Sequence, residues 1–167
     1  AVSPPTGSQP KVQKKNYLSR GQIPVVDQGA SQIAGFTNSA ADAFKGPGEV
    51  IIFGDHTRRF KFVDFPFAIG ADGVKVLVPR AGFIPKFLFY YFASITLPNR
   101  GYSRHYKFLR EVAVPKFPPS EQRKVVEILD QADRLRQLRA EADAKADRIL
   151  PALFLKMFGD PATNPMG

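Results

Sequence analysis

The sequence predicts an α+β protein, a mixed globular domain followed by one long helix that forms a coiled coil. Short runs rich in β-branched and aromatic residues gather before residue 80, as strands do. From Ser120 onward the period changes, and apolar residues recur at alternating spacings of four and three, which is a heptad pattern. Charge divides at the same place. Residues 1–119 hold 16 Lys+Arg against 7 Asp+Glu, whereas residues 120–167 hold 8 against 8, so the first part carries the whole net charge of +9.

Residues 1–16 are polar, contain proline and lack a period, so they are expected to be poorly ordered. The predicted globular domain then runs from 17 to 119. Gly21 to Gly48 is rich in Gly, Ser, Ala and Gln, with one short strand expected at Ile23-Pro24-Val25-Val26. Three strands are expected next, over Glu49 to Phe53, Phe60 to Asp64 and Val74 to Val78. Gly54 to Arg59 forms a hairpin-like loop between the first two. Gly70-Ala71-Asp72-Gly73 reads as a turn, because Asp-Gly tolerates positive φ. Pro85 to Thr96 is predicted helical, with Pro in its first turn and a stop before Pro98. Its composition is nearly all apolar, so it should be buried. Asn99 to Lys107 follows as a basic, aromatic loop, and Val112-Ala113-Val114 as a closing strand.

Ser120 is the expected N-cap of the last helix, with Glu121 in the first turn where the helix dipole favours an anion. The seam consists of Ile128, Ala132, Leu135, Arg139, Ala142, Ala146, Ile149 and Leu153. Residues 120–150 alone would make a helix about 45 Å long. An isolated helix of this kind is poorly stable, so the seam calls for a partner helix. Pro151 should kink or restart it, since it removes a donor and crowds the Asp147 carbonyl. The helix would then reach Phe158, with Gly159 ending it and residues 159–167 as a linker.

Composition narrows the function. No run of about 18 uncharged apolar residues exists to span a membrane, and the first residues lack a signal-peptide pattern. Zero cysteines exclude disulfides and thiolate chemistry and fit a cytoplasmic protein. A pI near 9.9 points to nucleic acid before anionic membrane. Catalytic patterns are nearly absent. The two histidines, His56 and His105, come with no zinc-ligand spacing. Asp72-Gly73-Val74-Lys75 is one residue too long for a nuclease metal motif. Asp64-Phe65-Pro66-Phe67 lacks the second position of an adenine-methyltransferase signature. No glycine-rich loop follows a strand and opens a helix, which leaves nucleotides without a seat. No catalytic residue, metal or cofactor is therefore expected in this chain.

Two basic loops remain, His56-Thr57-Arg58-Arg59-Phe60-Lys61 and Arg100-Gly101-Tyr102-Ser103-Arg104-His105-Tyr106-Lys107. Arginine offers a planar fork suited to guanine O6/N7 or phosphate, and Lys, Thr and Tyr suit phosphate. Gln28, Ser31, Gln32 and Asn38 add amides and hydroxyls of the kind that read adenine or hold phosphate. The candidate DNA-binding set is thus Gln28, Ser31, Asn38, His56, Thr57, Arg58, Arg59, Lys61, Arg100, Tyr102, Arg104, His105 and Lys107.

Several segments in order resemble the DNA-specificity (S) subunit of type I restriction–modification enzymes. They are Ile23-Pro24-Val25-Val26-Asp27-Gln28-Gly29-Ala30, Val50-Ile51-Ile52-Phe53-Gly54-Asp55-His56-Thr57-Arg58 and Phe67-Ala68-Ile69-Gly70-Ala71-Asp72-Gly73-Val74-Lys75-Val76-Leu77. Pro118-Pro119-Ser120-Glu121-Gln122-Arg123, leading into Val126-Glu127-Ile128-Leu129-Asp130, is similar to the start of that family's spacer helix. Leu155-Lys156-Met157-Phe158-Gly159-Asp160-Pro161 is similar to its exit. The resemblance implies a non-catalytic subunit that reads one half of a split double-stranded DNA target. It also implies partners, namely methyltransferase and restriction subunits, in which S-adenosylmethionine, ATP and Mg would act. One recognition domain and one spacer helix correspond to a half-subunit or to the amino-terminal half of a longer one. The family's opening strand is replaced by Ser3-Pro4-Pro5-Thr6-Gly7-Ser8. A half-subunit would rebuild the whole as a homodimer through the helix. Two readings stay beside it, a free-standing DNA-binding regulator and a helical assembly protein without restriction partners.

Overall fold

The computed structural model describes residues 1–71, 73–98 and 104–159. Eight strands come first, β1 (Val2–Ser3), β2 (Lys11–Val12), β3 (Ile23–Val26), β4 (Gly35–Thr37), β5 (Val50–Gly54), β6 (Phe60–Val63), β7 (Ala68–Gly70) and β8 (Val74–Pro79). Three α-helices follow, α1 (Pro85–Ser94), α2 (Tyr106–Arg110) and α3 (Pro119–Phe158). The architecture is an α+β domain with a long C-terminal helix. By contacts the chain divides into Ala1–Val126 and Glu127–Gly167.

In the first unit, one antiparallel sheet has the order β1-β8-β5-β6, and a second, mixed sheet has the order β2-β7-β3-β4. β5 explains how the layers stack. All five of its residues are buried, as expected for an apolar run covered on both faces. Strand alternation sends Val50 and Ile52 to one side and Ile51 and Phe53 to the other. Val50 and Ile52 join Val63, Val74 and Val76 against Val26 and Ile69 of the second sheet. Ile51 and Phe53 join Leu77 against Phe87, Leu88 and Phe92 of α1 and Leu109 of α2. The unit is therefore sheet, sheet and helices in three layers, with a core in each gap. The β5 pairings Ile51↔Leu77 and Ile51↔Phe62 hold that register.

Several expectations are corrected. Residues 1–16 are not patternless: Val2–Ser3 pairs with β8, and Lys11–Val12 runs parallel to β7. Gly21 to Gly48 holds a second strand, β4, paired with β3. Val112, Ala113 and Val114 form no strand. Val112 and Val114 instead pack as extended chain against the α1 core. Of the expected loop 99–107, Asn99–Ser103 lies outside the described residues, and its end is helical because α2 begins at Tyr106. The last helix starts at Pro119 and continues through Pro151 to Phe158 as one element. Residues around Pro151 are all exposed, so water can take the Asp147 carbonyl that proline leaves without a donor. The helix stops before Gly159, whose φ of +77° is left-handed.

The start of α3 is anchored by Gln122, which is fully buried. Its Oε1 accepts the Ile84 N–H at 2.8 Å, and its Nε2 donates to the Gly82 and Phe117 carbonyls, each at 2.8 Å. One amide thereby satisfies three backbone groups of the α1 entry and the α3 approach. Replacing it with alanine orphans all three. Gln122→Ala should cost about 2–4 kcal/mol of stability, read as a lower urea midpoint. A midpoint equal to that of the wild type would contradict this role.

Candidate nucleic-acid interface

The β5–β6 loop is a tight connection. The Arg59 carbonyl accepts the Gly54 N–H at 2.9 Å, and the Gly54 carbonyl accepts the Arg58 N–H at 2.7 Å. Closing it puts Arg58 at φ +58°, in the left-handed region. For a residue with a Cβ this costs about 1–2 kcal/mol. Among the described residues Arg58 is the single non-glycine with positive φ. Gly54 and Gly73 are required by close approach. A Cβ on Gly54 would strike Thr57 Oγ1 and the Gln28 side chain, and one on Gly73 would lie 2.6 Å from His56 Cδ2.

Asp55, 2% exposed, ties this loop to two other segments. Its N–H donates to the Gly73 carbonyl at 2.7 Å, and its own carbonyl accepts the His105 N–H at 3.0 Å. Its carboxylate Oδ1 accepts the Tyr106 N–H at 2.7 Å, where α2 begins. His105 Nδ1 lies 2.9 Å from the Asp55 carbonyl oxygen. Because a carbonyl only accepts, Nδ1 carries the proton. Nε2 of this buried ring has no hydrogen-bond partner among the described residues.

The segment 27–32 is pinned beside the loop. The Gln28 Oε1 accepts the His56 N–H at 3.3 Å, and the Gln28 carbonyl accepts the Thr57 hydroxyl at 2.8 Å. Gln32 Nε2 donates to the Phe62 carbonyl at 2.6 Å. Lys61 Nζ donates to the Ser31 carbonyl at 2.6 Å and lies 3.7 Å from Asp27 Oδ1. Burial pulls the Lys61 ammonium below the usual lysine range, Asp27 opposes that, and nearby Arg59 adds to the lowering.

The thirteen candidate residues therefore separate. Ser31, Thr57, Arg59, Arg104 and Lys107 are exposed, and Arg58 is half-buried with Nη1 3.4 Å from the Leu97 carbonyl. Gln28 and His56 are half-buried and build the loop contact. Lys61 and His105 are buried and leave the set of surface readers, because each is spent on holding backbone. Asn38 is exposed, but its Oδ1 accepts the Gln22 N–H at 3.0 Å, away from these loops. Arg100 and Tyr102 lie outside the described residues. What sequence reasoning missed is the reach of Asp55 beyond its own loop, to Gly73, His105 and Tyr106. Its signal was only an acid set in a basic loop.

The seam residues Ile128, Leu135, Ile149 and Leu153 of α3 are 66%, 67%, 55% and 48% exposed. Ala142 and Ala146 are exposed, and Ala132 is half-buried. Arg139 Nε reaches Asp143 Oδ1 and Oδ2 at 2.9 and 3.0 Å, one turn along the same helix. Among the described residues there is no cluster of three metal-ligating side chains, and no helix is long and apolar enough to cross a membrane.

Strain at Arg58 is separable from its charge. Arg58→Gly and Arg58→Ala both remove the guanidinium, but only glycine relaxes at φ +58°. Arg58→Gly should be the more stable by about 1 kcal/mol in urea unfolding. Equal midpoints, or alanine the more stable, would contradict a strained backbone.

No protein-family model and no curated protein matches the chain. Solved structures do. One, described as giving the structural basis of complex assembly and conformational transition of the type I R-M system, aligns with a TM-score of 0.56 at 22% identity. The alignment covers 89% of this chain and 41% of that one. The crystal structure of the HsdS subunit from Thermoanaerobacter tengcongensis aligns at 19% identity over 90% of this chain and 41% of its own, with a TM-score of 0.48. This chain thus spans about two fifths of the length of both, and its fold is that of the type I R-M structure.

Proposed function

We propose that the chain is a non-catalytic specificity component that recognises double-stranded DNA by sequence and reads one half of a bipartite target. In this reading it directs methyltransferase and restriction subunits, and S-adenosylmethionine, ATP and Mg belong to those partners. The observation that carries the reading is that exposed Arg59, Arg104 and Lys107 and half-buried Arg58 lie on two segments tied together by one buried aspartate. A hydrogen-bonded backbone under exposed cations suits readout, since arginine forks must meet base edges at fixed positions. The shared fold with a type I R-M structure supports the same assignment.

The helix supplies the second half of the reading. Its exposed row of Ile128, Leu135, Ile149 and Leu153 suits a second helix, from another copy or a partner subunit. Arg139, already bound to Asp143, needs no acid from that partner. A two-fold pair of copies would read a symmetric split site.

The test is selection of bound duplexes from a random pool, followed by affinity measurement across a salt series. With about five phosphates neutralised, log K should fall against log salt with a slope near −4.5. Arg58→Ala and Arg104→Ala should each remove about 1–3 kcal/mol of discrimination between the selected and a scrambled duplex. A methyltransferase subunit should co-purify. Salt-insensitive, negligible duplex affinity would reject the reading in favour of a helical assembly protein. Specific binding without any enzyme partner would leave a free-standing regulator.

A further inference from the structure

The N-terminal segment, β8 and α2 enclose a cleft of about 770 Å3 on the first unit. Four cations line it: Lys11 of β2, Lys75 near the start of β8, Arg80 just beyond its end, and Arg110 at the end of α2. None of its described lining residues is acidic. Among the described residues none of the four cations is ion-paired with a carboxylate. The Lys75 ammonium lies 5.6 Å from the centre of the Tyr106 ring, which also lines the cleft. Uncompensated cations on a concave surface concentrate anions there.

The dimensions and walls indicate which anion. Lys75 lies on β8 and Arg80 just beyond its end, five residues along the chain, a span of at most roughly 17 Å. A separation of that size exceeds a single phosphate group and suits an anion whose charges repeat along its length, as those of a DNA strand do. The remaining lining includes apolar Val2 and Val112 and the amide of Gln9, which is taken up by the Thr6 and Lys45 backbone. Cations, a phenol and apolar walls fit a ligand gripped by charge alone. Asp55 binds the Tyr106 N–H, so α2 is braced to the Gly54–Arg59 loop.

We propose that this cleft is a phosphate track, holding the sugar–phosphate backbone of duplex DNA and adding affinity without sequence preference. The inference rests on the DNA-binding reading above and assigns it a second contact surface.

The test uses the full chain and fluorescence anisotropy with the selected duplex and a scrambled one across a salt series. Arg80 and Arg110 are exposed, so their replacement leaves the core intact. The double variant Arg80→Ala/Arg110→Ala should weaken both duplexes by the same factor and make the salt slope shallower by about 1.8. Arg80→Lys/Arg110→Lys should restore the slope, because charge rather than fork geometry is used. An unchanged slope, or a loss confined to the selected duplex, overturns the phosphate track while leaving the recognition loops standing. Saturable ATP binding that disappears in the alanine variant with the duplex slope intact overturns it too, reassigning the cleft to small phosphorylated compounds. A wild-type chain with no duplex affinity overturns the functional reading itself, and the track with it.

Discussion

One buried carboxylate organises the basic loop side of this protein. Asp55 sits at the end of β5 with its carboxylate on the first turn of α2, its N–H on the Gly73 carbonyl and its carbonyl shared by two His105 donors. A buried acid is expensive unless its oxygens are satisfied. Here Asp55 meets a helix N-terminus, where backbone N–H groups are otherwise unpartnered. The same bonds bring the β5–β6 loop, Gly73 and the entry to α2 together. Around this brace, exposed arginines and lysines repel one another without unfolding the loops that carry them.

The brace can exist because β5 is buried on both faces. Alternating residues feed two cores, one against the second sheet and one against α1 and α2. That arrangement fixes the strand end from which Asp55 and the loop project. It also dictates the fate of Lys61. On β6 the rings of Phe60 and Phe62 face α1, where they lie 5.7 Å from Phe92 and 6.0 Å from Phe89. Strand alternation then turns Lys61 between the sheets, toward Asp27 and the Ser31 carbonyl. Lys61 is thus buried on one side of β6 while the two half-buried rings lie against α1 on the other.

This explains which parts of the molecule were legible in the sequence. β5, β6, β8, α1 and α3 are long or strongly patterned, and their expected spans agree with the structure to within two residues. β1, β2, β4 and β7 have two or three residues each, and β2 pairs with a strand nearly sixty positions away. Segments that short carry no period of their own and exist only because the partner is there. Val112 to Val114 failed in the opposite sense. Its apolar alternation is real, but it covers the α1 core without a strand to pair with. At the site, surface arginines in a loop were readable from composition. The buried Lys61 and His105 were not, since a basic residue in a basic run gives no sign of which way it points.

The heptad row was legible for the simplest reason, that helical period survives in any context. Its apolar residues remain exposed in the single chain, which suits association through this helix. The head and the helix make separate demands on the sequence, and the shift of charge at Pro118-Pro119 marks where one set ends.

The central claim is that Asp55 holds the β5–β6 loop and the start of α2 as one unit. Hydrogen–deuterium exchange of Asp55→Ala against the wild type tests it most directly. The account predicts faster exchange in residues 54–59 and 104–110 together, with the β5–β8 pairing still protected and duplex affinity reduced. Faster exchange confined to the β5–β6 loop, with α2 and duplex affinity unchanged, would contradict it.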